Sequence, residues 1–123
     1  MGSEPPAQEA RALSATEREL LDLLLAVDAP GVEMYRVQAV VARAVPNCVC
    51  GCGSIALVLP ADAPVGPTDL PTVVSDAEVL LPDGQCGSLI LFQADGRLAH
   101  LEIASYFDPM QMPDPQFVTL PPG

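Results

Sequence analysis

The chain has 123 residues, 16 of them Asp or Glu against 5 Arg and no Lys, for a formal charge of −11. That length suits one domain, and that charge repels nucleic-acid phosphate and anionic lipid, so neither is expected as a direct partner. Half the residues are apolar but Trp is absent and Tyr and Phe number 2 and 3, so the core must be built from Leu, Val, Ile and Ala.

Residues 1–12, rich in Glu, Pro, Ala and Gln, read as a disordered arm. They lack a basic start and an apolar run, and no apolar stretch reaches the ~18 residues that cross a bilayer. A cytoplasmic chain with reduced thiols is therefore expected. A single domain over 13–108 follows. Ser14 to Glu17 has the form of a capping box, with Thr16 to Glu19 a second candidate. Leu20, Leu21, Leu24 and Val27 supply an apolar stripe at helical spacing, which predicts a helix over 15–27, ended by Asp28 to Gly31. Val32 to Val45 mixes helical spacing with β-branched residues, and the reading is a helical turn near 32–39 followed by an extended segment from Val40. Pro46 interrupts pairing and marks an edge or bulge. Residues 54–59 read as a strand and the proline-rich 60–71 as a loop.

Beyond Thr72 the signal is two Asp-Gly reversals, Asp83-Gly84 and Asp95-Gly96, each between apolar runs. They predict strands over 72–81, 86–93 and 98–106, and residues 109–123 read as a Pro-rich extended tail. The fold class expected is α+β: an N-terminal helix packed on an antiparallel sheet of four or more strands ending in a three-strand meander.

Two-residue loops at both reversals would place Leu81 opposite Cys86, Ala77 opposite Ile90 and Ile90 opposite Leu101. Alternation of side chains then puts Ala77, Val79, Leu81, Cys86, Ile90, Phe92, Ala99, Leu101 and Ile103 on the core face. The outer face receives Asp76, Glu78, Leu80, Leu89, Leu91, His100 and Glu102. A leucine ridge flanked by carboxylates resembles a protein-binding surface; covering by the 60–71 loop or the tail is the plainer alternative. The function expected is a non-enzymatic acidic protein-binding module, of inhibitor or immunity type, with a basic protein as partner or a second copy in a homodimer.

Cys48, Cys50 and Cys52 alternate, and Cys86 is the remaining thiol. Alternate positions on a strand share a face, so the three sulfurs could converge, with Cys86 as a fourth ligand for zinc or another soft metal. Structural zinc more often uses Cys-x2–4-Cys spacing, and unliganded thiols packed as small hydrophobes or a disulfide are the alternatives. No cofactor is required by any motif, and zinc binding is the second functional reading. Cys86 and His100 fall on opposite faces in this register, which disfavours a Cys–His nucleophile. No phosphate-cradling loop or nucleophile elbow occurs in the sequence.

Tyr35 to Gln38, Cys48 to Ser54, Asp95 to Leu98 with Leu101, Glu102 and Tyr106, and Pro113 to Pro115 together resemble a group of small uncharacterised bacterial proteins. In that group a Cys-x-Cys-Gly-Cys turn precedes a strand, and an Asp-Gly-Arg-Leu hairpin feeds a strand ending near a Tyr. The resemblance implies the strand order above and no activity. Gly53 stands where the group's pattern has Pro, and Cys86 has no counterpart in it.

Overall fold

The computed structural model describes residues 10–46, 53–106 and 110–120. Two helices, α1 (Ala15–Leu24) and α2 (Val32–Val41), accompany seven strands: β1 (Arg11–Ala12), β2 (Arg43–Pro46), β3 (Ile55–Val58), β4 (Val73–Leu80), β5 (Cys86–Ala94), β6 (Arg97–Ser105) and β7 (Val118–Thr119). All seven form one sheet in the order β1-β2-β3-β6-β5-β4-β7, with every pairing antiparallel. The α+β class follows directly.

Helix α1 begins where its chemistry dictates. The Ser14 hydroxyl accepts from the Glu17 amide at 3.1 Å, and the Glu17 carboxylate accepts from the Ser14 amide at 2.9 Å, a closed capping box. Arg11 of β1 then donates to both Glu17 oxygens at 2.7 and 2.8 Å, tying the edge strand to the helix. The helix stops at Leu24, short of the expected 27, because the chain turns at Leu25.

Helix α2 is longer than the expected turn and is followed directly by β2. Its inward residues Val32, Tyr35, Gln38 and Ala39 are buried, so packing on the sheet overrides the strand preference of its valines. Gln38 is wholly buried. Its amide nitrogen donates to Pro64 O and Gly96 O, each at 2.8 Å, and its oxygen accepts from Leu98 N at 2.8 Å. One side chain thus joins α2, the 60–71 loop and the β5–β6 turn.

The core fills the space between the helices and one side of the sheet. Leu20, Leu21, Leu24, Val79, Leu89, Leu91, Leu98, Leu101 and Ile103 belong to one buried cluster. Residues 110–120, expected as a tail beyond the domain, instead join it. Met110 is buried, Met112, Val118 and Leu120 pack on the core, and Val118 and Thr119 pair with Val79 and Glu78. Arg11 and Ala12 likewise extend the sheet rather than belonging to the arm. Docking an apolar residue at these spacings compensates the ordering of a short segment that its proline content alone would leave extended.

The register of β5 differs from expectation, and the cause lies in both turns. At the first, Leu81 N donates to Gln85 O at 2.8 Å and Gly84 N to Leu81 O at 3.0 Å, so three residues, not two, form the loop. Proline has no N–H with which to close a hairpin, so the closing pair shifts from Pro82 to Leu81; Pro82 takes the turn position that suits its fixed φ, and Gly84 adopts φ 91°. At the second, Asp95 and Gly96 have φ 53° and 80°, the two-residue loop expected for Asp-Gly. A bulge follows, because Gln93 pairs with Leu98 but Phe92 pairs with His100, leaving Ala99 extra. The two shifts have the same sense. β4 and most of β6 keep their expected faces while β5 is turned over.

Candidate functional site

The helices occupy one side of the sheet, and the segments that could have crossed to the other do not. Leu70 lies against Gly31 and Gly66 against Met34, which puts the 60–71 loop on the helical side. The 3-10 turn Pro115–Phe117 contacts α1. Among the described residues, no helix or strand lies over the opposite face of the sheet.

Directly paired residues of antiparallel strands point the same way, so pairing gives the rows of that face. Ala94 and Arg97 form a row beside the second turn. Next come Val45, Ala56, His100, Phe92 and Val73 across five strands. Glu102, Ile90 and Asp76 follow, then Ala104, Ser88, Glu78 and Thr119. Leu80 and Cys86 close the far end, where the Tyr106 amide donates to Cys86 O and the Tyr106 and Ser88 hydroxyls lie 3.4 Å apart. Leu80 and Tyr106 are each 63% exposed, and Val73 is 45% exposed. Ile90 and Phe92, partly buried, form the apolar centre.

Of the residues assigned to this surface from sequence, Asp76, Glu78, Leu80, His100 and Glu102 lie on it. Leu89 and Leu91 do not: both are fully buried under the helices, because β5 is turned over. Ile90 and Phe92 take their place, and Cys86, assigned to the core, sits partly exposed on the open face. The signal for this was present in β6, where Leu98, Leu101 and Ile103 all point inward. A spacing of three followed by two fits one face only if a bulge falls between Leu98 and Leu101.

Cys86 and His100, expected on opposite faces, share one. His100 pairs with Phe92, about six residues or 20 Å along the strand from Cys86, beyond any proton transfer between them. Cys48, Cys50 and Cys52 lie outside the described residues. Among the described residues, no group of three or more His, Cys, Asp or Glu is placed to hold a metal ion.

Two further features escaped the sequence reading. Helix α2 exposes Val37, Val40 and Val41 at 50%, 74% and 44%, a second apolar stripe on the helical side. The Tyr35 hydroxyl is buried and has no hydrogen-bond partner among the described residues, and its burial pushes its pKa up. The Arg11 guanidinium holds the Glu17 carboxyl below the usual glutamate value, against the opposing effect of burial.

No described helix is long and apolar enough to cross a membrane. Compared with known proteins, the chain matches no family model, no curated protein and no solved structure.

Proposed function

We propose that this chain is a non-enzymatic protein-binding module, of inhibitor or immunity type, that works through the uncovered face of its sheet. In this reading the N-terminal helix, packed on the sheet, and the terminal three-strand meander are the scaffold that holds the contact surface. The observation that carries it is the row pattern of that face: Ile90 and Phe92 at the centre, Val73 exposed beside Phe92, Leu80 exposed at the far end, and Asp76, Glu78 and Glu102 along one half. An apolar centre with a charged rim is the anatomy of a protein contact. The carboxylates, within a chain of charge −11, favour a partner that sets basic groups around an apolar patch and is drawn in by its charge.

Ile90→Asp tests it. Ile90 sits at the centre of the face, and a charge there removes the apolar contact without entering the helical core. Immobilised wild-type protein is expected to retain a basic partner from the source extract that the Ile90→Asp protein loses. Equal capture by the two would refute the assignment of this face.

Soft-metal binding is the second reading. It is favoured by the alternation of Cys48, Cys50 and Cys52 in the sequence, with Cys86 partly exposed as a free thiol. Protein purified without added metal should then contain near-stoichiometric zinc by elemental analysis, and metal-free protein would end this reading.

A further inference from the structure

We infer that the open sheet face closes on a second copy of this chain, the two sheets stacked about a two-fold axis that runs across the strands. Ile90 of each copy then meets Phe92 of the other, and His100 of each meets Glu102 of the other. The inference rests on the preceding reading of this face as a contact surface and names one occupant for it.

The argument is the distribution of charge along the strands. The row beside the second turn carries Arg97, and the next carries His100. The two rows after that carry Glu102 with Asp76, then Glu78. One half of the face is therefore donor-bearing and the other carboxylate-bearing, with Phe92 and Ile90 at the boundary.

Two symmetric stackings are available to a sheet centred on β5. With the axis parallel to the strands, each row meets itself and β4 lies over β6. Asp76 then opposes Glu102, carboxylate against carboxylate, in a partly dehydrated contact, which is unfavourable. With the axis across the strands, rows exchange and each strand lies over its own copy. The His100 row meets the Glu102 row, so an imidazole N–H faces a carboxylate twice, and two Phe92–Ile90 contacts form at the centre. Arg97 comes one row from the partner's Glu102. Isologous symmetry doubles every favourable pair, and stacked sheets approach to about 10 Å with strands nearly aligned.

The extent of the face sets the strength. Four strands and four rows span roughly 500 Å² per copy, below the ~800 Å² per partner of a stable interface. The dimer is accordingly a weak, exchanging one. A basic partner of better fit would displace the second copy from the same residues.

Sedimentation of the full chain from about 5 to 500 µM, a range that spans weak micromolar association, tests this. Wild-type protein is expected to pass from monomer to dimer. His100→Glu places carboxylate against Glu102 of the other copy and should weaken association about tenfold or more. The double variant His100→Glu with Glu102→Arg re-pairs the charges and should return to within about threefold of wild type. If Glu102→Arg alone tightens association, the stacking that opposes Glu102 to Asp76 is the real one and the inference is overturned. A wild type that stays monomeric while an Arg-rich amphipathic peptide shifts its Ile90 and Phe92 amide resonances overturns the dimer and leaves the binding reading standing. Monomeric protein with no such shift overturns both.

Discussion

Leu91 and Phe92 are neighbours on one strand and belong to different chemical worlds. Leu91 is fully enclosed beneath the helices, whereas Phe92 stands on the open side among His100, Val73 and Ala56. The covered side is mainly aliphatic, with a few buried polar groups such as Gln38 and Gln93, and supplies the folding energy; the open side mixes aromatic, aliphatic and ionised groups that folding does not need there. Residues free of packing duty are where a small domain can place a contact surface, and here that freedom alternates residue by residue along β5.

The strongest way to break this contrast is to truncate the pair. Leu91→Ala should cost about 2–5 kcal/mol in denaturant unfolding, because it leaves a cavity in a close-packed core. Phe92→Ala should cost less, about 1–2 kcal/mol, since its side chain is only partly buried. Equal losses would mean that the open face is covered in solution.

Gln38 extends the contrast to polar groups. On the covered side its bonds to Gly96 O and Leu98 N are buried while that to Pro64 O is only partly so, so Gln38→Leu strands the Gly96 carbonyl and the Leu98 N–H. The expected cost is about 2–4 kcal/mol in unfolding, together with faster amide exchange at Leu98 and in the 60–71 loop.

A smaller effect should come from the sheet's edge. The folded-state pKa of Glu17 lies below its ordinary value of 4.5, so its contribution is present above that value and is lost as pH falls through the lower folded value. Because Arg11 is 48% exposed, solvent screening keeps the loss under about 1 kcal/mol. Thermal melts between pH 6 and pH 3 should show that increment in the wild type, and Arg11→Ala should reduce it, the Ser14 amide still holding the Glu17 carboxylate.

How much of this was legible depends on the range of the forces involved. The capping box of Ser14 and Glu17, the Leu20–Leu24 stripe and the positions of both reversals are local patterns, and they could be read from adjacent residues alone. Local logic even contained the first register shift, since Pro82 lacks the N–H that a two-residue loop would require of it. The faces of β4 followed from alternation, and Asp76, Glu78, Leu80, His100 and Glu102 were placed accordingly. The face of β5 was not, because it depends on two offsets acting together, and the second is tied to distant partners. Gln93, which the bulge turns inward, donates to Leu70 O and Pro71 O at 2.9 and 3.0 Å and accepts from Gly96 N at 2.9 Å.

The amino-acid order by itself determined the α+β class, the start of α1, the two tight reversals and the acidic character of the surface, since each depends on residues a few positions apart. Tertiary structure alone decided that α2 is a full helix, that residues 110–120 pack on the domain and Val118–Thr119 join the sheet, and which side of β5 meets water. Those outcomes turn on burial and on hydrogen bonds between residues as many as 60 positions apart, as from Leu98 N to Gln38. Such contacts acquire their energy only when water is excluded from between them.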